Sequence, residues 1–285
     1  MANQVHNHSI RRQGLARKGV IYGLLVILGI LFALPFVWLV STSLKVDSQL
    51  FVMPPIWIPD PIKWSNYREA LNYIPFWLYL KNTLTIAIPS TFGMLLSSSL
   101  VAYGFSRVQW PGRDVVFILV LATMMLPYQV TMIPLFIVFR NLGWIGTFKP
   151  LIIPSFFGGP FYIFLLRQFY LTLPMELSDA AKIDGCSEFG IYYRIILPLS
   201  KPALSTVALF SIMAYWNDFL APLIYLEDDA KYTLALGLQQ FQRQFGMEWA
   251  MLMATSVVIT LPIIVLFFLT QKTFVQGIAL TGLKG

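Results

Sequence analysis

Six runs of apolar residues alternate along the chain with short polar or proline-rich stretches. A hydrocarbon core about 30 Å thick needs roughly 20 apolar residues as helix. The runs at 20–44, 82–105, 115–139, 151–171, 202–226 and 249–270 each come close to that length. Between them lie connectors such as "MPPIWIPDPIKWSNYREAL" (53–71), "SRVQWPGRD" (106–114) and "EDDAKYT" (227–233). The pattern predicts an all-α polytopic membrane protein with six transmembrane helices. A basic tail covers 1–19, the six-helix domain 20–270 and a second tail 271–285. The first run exceeds the 7–15 residues of a signal-peptide core and has no small-residue cleavage site, so it is expected to stay as an anchor.

Composition agrees. Of 285 residues, 57% are hydrophobic and 12% charged, where a soluble domain has about a quarter charged. The net charge of +7 does not point to nucleic acid, because the basic residues form no sustained stripe. Four of them, Arg11, Arg12, Arg17 and Lys18, precede the first run, as expected for a cytoplasmic flank. Both termini then face the cytoplasm. Arg107, Arg113, Lys182, Arg194, Lys201, Lys272 and Lys284 fall on that side, and Glu227, Asp228 and Asp229 fall outside.

The spans read as more than anchors. Pro35, Pro89, Pro127, Pro134, Pro154, Pro160, Pro222 and Pro262 are helix breakers, tolerated in a membrane where other helices or a wet cavity satisfy the freed backbone. Gly93, Ser97, Ser98 and Ser99 allow close helix approach. Asp218 is the one carboxylate inside an apolar run. Intramembrane charge is costly and defaults to function, but Asp218 is either on a solute path or near the outer end meeting water or a neighbouring lysine. Asn217 offers a hydrogen-bonding group beside it. Trp216 and Tyr215 either stack on a sugar face or belong to an interfacial aromatic belt.

Catalytic constellations are missing. Cys186 is the single cysteine, which excludes an internal disulfide. The only histidines, His6 and His8, lie in the first tail, too few for a metal site. No G-x-x-x-x-G-K-[ST] phosphate cradle and no H-E-x-x-H occurs. The chain reads as a transporter subunit, not an enzyme, with no catalytic or metal-ligating residues, no cofactor of its own and no ATP site.

The connector at 173–200 concentrates charge. Its core, "SDAAKIDGCSEFG" (178–190), predicts two short helices. Pro174 suits a helix start. Glu176 and Asp179 favour the positive end of the dipole and Lys182 the negative end, and Asp179 and Lys182 are spaced to pair. Gly185 supplies a left-handed stop, and Ser187 caps the second helix. Phe189, Tyr192, Tyr193 and Ile196 fall on one apolar face. Such a face is accepted by a protein groove or lies on lipid. Four acids against three bases over 175–201 favour protein docking.

The stretch "DAAKIDGCSEFGIYYRIILP" (179–198) resembles the EAA signature of importer-type ABC transporter permeases. Ala180, Ala181, Gly185, Ile195, Leu197 and Pro198 fall in register, and Asp179 stands where the family has Glu. The segments 124–147, 164–174, "WNDFLAPL" (216–223) and "FVQGIALTGLKG" (274–285) are similar to the carbohydrate-uptake branch, in particular its maltose-type second permease. The resemblance implies several partners: a cytoplasmic ABC ATPase dimer that binds ATP and Mg, a second homologous permease, an extracytoplasmic solute-binding protein, a sugar and membrane lipids. It implies a prokaryotic inner-membrane location. It implies ATPase coupling by Asp179, Ala180, Ala181, Asp184 and Gly185, and a second contact by the tail residues Gly277, Leu283, Lys284 and Gly285. Trp216, Asn217 and Asp218 are the candidates for the solute path. The alternatives are a permease for glycerol phosphate, peptides or amino acids, and an ion-coupled secondary transporter, which needs more intramembrane ionisable residues and paired repeats.

Overall fold

The computed structural model describes the backbone of residues 2–243 and 246–282 and the side chains of residues 17–242 and 246–271. The predicted tail residues Leu283, Lys284 and Gly285 lie outside the described residues, as do the side chains of His6 and His8, and of Gly277 only the backbone is described.

Helix dominates because a chain in hydrocarbon must satisfy its backbone internally. The main elements are α1 (Ala2–Ser43), α2 (Ser65–Tyr73), α3 (Phe76–Ser106), α4 (Arg113–Ala122), α5 (Tyr128–Asn141), α6 (Pro160–Thr172), α7 (Glu176–Ile183), α8 (Glu188–Ile191), α9 (Lys201–Trp216), α10 (Leu220–Tyr225) and α11 (Trp249–Gly282). Among the described residues, four helical stretches are long and apolar enough to cross a bilayer: Arg17–Ser43, Phe76–Ser106, Lys149–Thr172 and Trp249–Gln271. Two bent pairs raise the number to as many as six. Arg113–Met125 meets Tyr128–Asn141 at 97°, and Glu188–Leu199 meets Lys201–Trp216 at 79°.

Two expected continuous spans are interrupted. The run 115–139 breaks at Leu126 and Pro127, both in extended conformation. A proline clashes with a helical predecessor and pushes it to extended backbone. The run 202–226 breaks at Asn217, after which α10 begins three residues on. Conversely, Pro35, Pro89, Pro134 and Pro262 sit inside unbroken helices. Pro160 occupies the first turn of α6, where its missing N–H costs nothing. The outer helices also run past their expected limits, to Ala2 at one end and Gly282 at the other.

The chain divides into two units. One comprises Met1–Tyr73 and Phe241–Val258. There, buried Asn66 of α2 donates its Nδ2 hydrogens to the carbonyls of Ser43 (3.0 Å) and Lys45 (2.8 Å), which tie α2 to the end of α1. Lys45, also buried, places its Nζ 3.7 Å from the centroid of the Trp38 ring. A two-residue antiparallel pairing joins Gln242–Arg243 to Gly246–Met247.

The second unit comprises Ile74–Gln240 and Ile259–Gly285. Its axis is α3, packed chiefly on α6 and α9. Its main apolar core gathers Tyr103, Leu166, Phe169, Tyr170, Ile191, Ile196 and Val207. Glycines set the approach of neighbouring elements. A Cβ on Gly93 would stand 2.6 Å from the Phe156 ring, and one on Gly237 would stand 2.5 Å from the Tyr79 ring. Tyr79 is fully buried and has no room to retreat. Gly237→Ala is expected to cost about 2 kcal/mol of stability through overpacking. Thermal unfolding of the purified protein in detergent checks this, and an unchanged midpoint contradicts it.

Candidate functional site

The connector after α6 folds into helix–glycine–helix. The chain leaves α6 at Leu173 in extended conformation, and α7 follows with Glu176 and Asp179 in its first turn and Lys182 in its last. Gly185 adopts φ +76° with nothing within 4 Å of a built Cβ. Its constraint is therefore backbone conformation, not space. The Ser187 hydroxyl then accepts the N–H of Gly190 at 3.2 Å, capping α8.

Three details depart from the sequence expectation. First, Lys182 reaches across the bend and not along its own helix: its Nζ lies 2.8 Å from Glu188 Oε1. Asp179 stays exposed on α7. Second, the two alanines diverge, with Ala181 in the core and Ala180 exposed. Third, the apolar face of α8 splits. A wider π-type turn over Tyr192–Ile196 changes the period. Tyr192 and Ile196 are buried with Ile191, while Phe189 and Tyr193 are 68% and 62% exposed. Ile183, beside exposed Asp184 and Gly185, is 87% exposed. The result is a charged rim around three exposed apolar side chains.

Two functional contributors carry no mark in the connector's own sequence. Both come from α3 and its end. The Tyr103 hydroxyl donates to Glu188 Oε2 at 2.6 Å. Arg107, 2% exposed, donates to the carbonyls of Leu173 (2.6 Å) and Pro174 (3.2 Å) and to that of Tyr170. It thereby caps the end of α6 where the connector begins. Arg107 reads in the sequence as one more cytoplasmic cation. The signal that could have found both residues is their spacing of four, continued from Ser99, at the end of α3.

The Lys182 ammonium, and secondarily the Tyr103 hydroxyl, hold the Glu188 carboxyl below the usual carboxylate range. Glu188 in turn raises Lys182.

The second site is the break between α9 and α10. Asp218 Oδ1 accepts the N–H of Ala221 at 3.2 Å, so the carboxylate caps the first turn of α10. Asp218 also lines a cavity of about 260 Å³ with Met94, Tyr128, Ser155, Tyr215 and Tyr225. The buried Tyr225 hydroxyl makes no hydrogen bond. The predicted trio is not brought together. Trp216 is 5% exposed, with Nε1 donating to the Ile259 carbonyl at 3.2 Å. Asn217 is exposed and donates to the Met213 carbonyl at 2.9 Å. Tyr215, not Trp216, is the aromatic residue that lines the cavity beside Asp218.

Because the folded Glu188 is the more acidic, its contribution is present above the unfolded value near 4.3 and lost as pH falls through the folded value. Glu188→Gln is expected to lower the detergent melting temperature at pH 7 and to lose that effect progressively as pH falls below the usual carboxylate range. The exposed Lys182 pair contributes about 0.5 kcal/mol, and the change from a charged to a neutral acceptor for Tyr103 about 1 kcal/mol more. A gap that does not narrow as pH falls contradicts the assignment.

Comparison with known proteins follows the same outline. The family model described as "Binding-protein-dependent transport system inner membrane component" matches residues 93–279. The arabinooligosaccharides transport system permease protein AraQ of Bacillus subtilis (strain 168) is 36% identical over 265 residues, covering 91% of this chain and 93% of that protein. The sulfoquinovosyl glycerol transport system permease protein SmoH of Agrobacterium fabrum (strain C58 / ATCC 33970) is 31% identical over 252 residues, with 88% of each covered. A chain in the crystal structure of a bacterial ABC transporter that imports the acidic polysaccharide alginate superposes with a TM-score of 0.77 at 24% identity, over 89% of this chain and 96% of that one. With a family model matched over well over half its length and relatives above 30% identity nearly end to end, the chain belongs to the family of binding-protein-dependent transport system inner membrane components.

Proposed function

We propose that this chain is the membrane-spanning permease subunit of a binding-protein-dependent ABC importer, forming half of the path for a sugar or oligosaccharide. The observation that carries the reading is the family match together with relatives named for oligosaccharide and sugar-glycerol transport. The glycerol-phosphate, peptide and amino-acid alternatives draw no support from those names.

Six spans with both termini in the cytoplasm place the 173–200 connector inside. Its exposed Ile183, Phe189 and Tyr193, framed by Asp179, Lys182, Asp184 and Glu188, suit insertion into a groove of a cytoplasmic ATPase dimer. Asp179, Ala180, Ala181, Asp184 and Gly185 make up the contact segment, and Gly277, Leu283, Lys284 and Gly285 are a second contact candidate. ATP and Mg²⁺ belong to that dimer. This chain contributes a docking surface and no phosphate cradle, so it is not itself an enzyme. A second homologous permease completes the pore, and an extracytoplasmic solute-binding protein delivers the sugar. The location is the prokaryotic inner membrane. Asp218 and its tyrosine-lined cavity are the candidates for the solute path.

Two tests follow. Ile183→Asp places an uncompensated charge in the apolar contact, and Gly185→Val forces a side chain into a left-handed backbone that costs about 1–2 kcal/mol. Each is expected to lower ATPase co-purification about tenfold. Full retention in both sinks the docking assignment. Asp218→Asn is expected to reduce binding-protein-dependent sugar uptake several-fold in whole cells, or to alter which sugar is taken up. Uptake of unchanged rate and specificity returns Asp218 to a helix cap alone.

A further inference from the structure

Three polar side chains at the cytoplasmic end of α3 recur at a spacing of four: Ser99, Tyr103 and Arg107. That spacing puts them on one face, spread over about 12 Å of helix axis. Each holds a different part of the connector. The Ser99 and Tyr192 hydroxyls are 2.6 Å apart. Tyr103 donates to Glu188 at 2.6 Å. Arg107 donates to the carbonyls of Tyr170, Leu173 and Pro174, with the Met175 sulfur 3.0 Å from the same guanidinium.

All three side chains are nearly excluded from solvent, at 2%, 6% and 2% exposed. The Tyr103 and Tyr192 rings also meet edge to face at 5.4 Å. The ladder extends outward through Glu188 to Lys182 on α7, so both connector helices are tied to α3. Buried, paired polar groups are expensive to separate, because each group left behind is unsatisfied and desolvated.

We infer that this ladder is a transmission clamp that makes the docking connector and the cytoplasmic half of α3 one rigid body. Resting on the coupling reading above, it identifies where the displacement goes. A push on the connector is delivered to α3 at three points and not absorbed by bending at Gly185. Tyr103 is the positioning residue at the centre. It touches neither the proposed ATPase groove nor the Asp218 cavity, and it joins α3 to the charge pair that spans the bend.

The test is a distance measurement in the full transporter, with its co-purified ATPase and second permease in nanodiscs. Cys186→Ser removes the native thiol. Spin labels are attached at Arg194→Cys on the connector and at Phe92→Cys on α3. Both positions are exposed, and Phe92 lies between Pro89 and the ladder. With the ladder intact, one narrow distance distribution is expected, unchanged when ATP and vanadate trap the ATPase. With Tyr103→Phe added, the distribution is expected to broaden at least twofold or to shift on trapping.

A distance that shifts on trapping in the intact ladder overturns the proposal, because the connector then moves against α3. An identical distribution in Tyr103→Phe overturns it as well. Where Tyr103→Phe does not assemble, Ser99→Ala is read in the same way. Failure of the docking reading is separate: it appears as loss of vanadate trapping or full ATPase retention in Ile183→Asp, not as a change in the label distance.

Discussion

Inside a bilayer a backbone N–H or C=O has no water to bond, and every break in a helix must be covered by protein. One such break, ahead of α6, is covered by a stretch of α3. The Ser90 hydroxyl donates to the Leu151 carbonyl at 3.2 Å, and Ser97 donates to that of Ser155 at 3.3 Å. The Ser98 hydroxyl accepts the Gly159 N–H at 3.2 Å. All lie where a single turn at Lys149–Ile152 and a 3₁₀ stretch at Ile153–Phe157 give way to α6. Small side chains let the irregular segment come close, and their hydroxyls then satisfy it. Gly93 makes the same approach possible against Phe156. The run that reads as a packing motif is therefore also a source of donors and acceptors for broken backbone.

The same constraint explains what was legible in the sequence. Long apolar runs fixed the main spans because only helix can satisfy them. Gly185 and Ser187 marked the connector bend because a left-handed turn and a side-chain cap each demand a particular residue type. The breaks at Leu126–Pro127 and Asn217 were less legible. Proline predicts a breaker wherever it occurs, yet Pro35, Pro89, Pro134 and Pro262 lie in continuous helix. Whether a freed carbonyl is tolerated depends on neighbours that local sequence does not name.

Long-range partners were hidden for the same reason. Helical spacing joins Asp179 to Lys182, but Glu188 competes across the bend with a second anchor in Tyr103. A periodicity of 3.6 puts Phe189, Tyr192, Tyr193 and Ile196 together, but the π-type turn sends two inward and two outward. The outward pair belongs to the surface that would meet a partner. Trp216 reads as either a sugar-stacking or an interfacial-belt residue and is buried, bonded to the backbone of α11. Asp218 has a role the sequence did not suggest, since its carboxylate caps α10 as well as lining the cavity.

Magnitudes decide whether the ladder can carry force. Moving a two-state element from mostly one state to mostly the other takes about 5.5 kcal/mol. A neutral hydrogen bond contributes about 1 kcal/mol net, and one to a charged group about 2 kcal/mol. Ser99–Tyr192, Tyr103–Glu188 and the three carbonyl bonds of Arg107 therefore sum to on the order of 5–9 kcal/mol. That is comparable with the switching energy and not far above it. A ladder of this strength is what the proposed clamp requires, and on that proposal the loss of one rung would bring detachment of the connector from α3 within reach of the force it is meant to carry. On that proposal the spacing of Ser99, Tyr103 and Arg107 is a mechanical requirement, which would account for three buried polar side chains standing four residues apart.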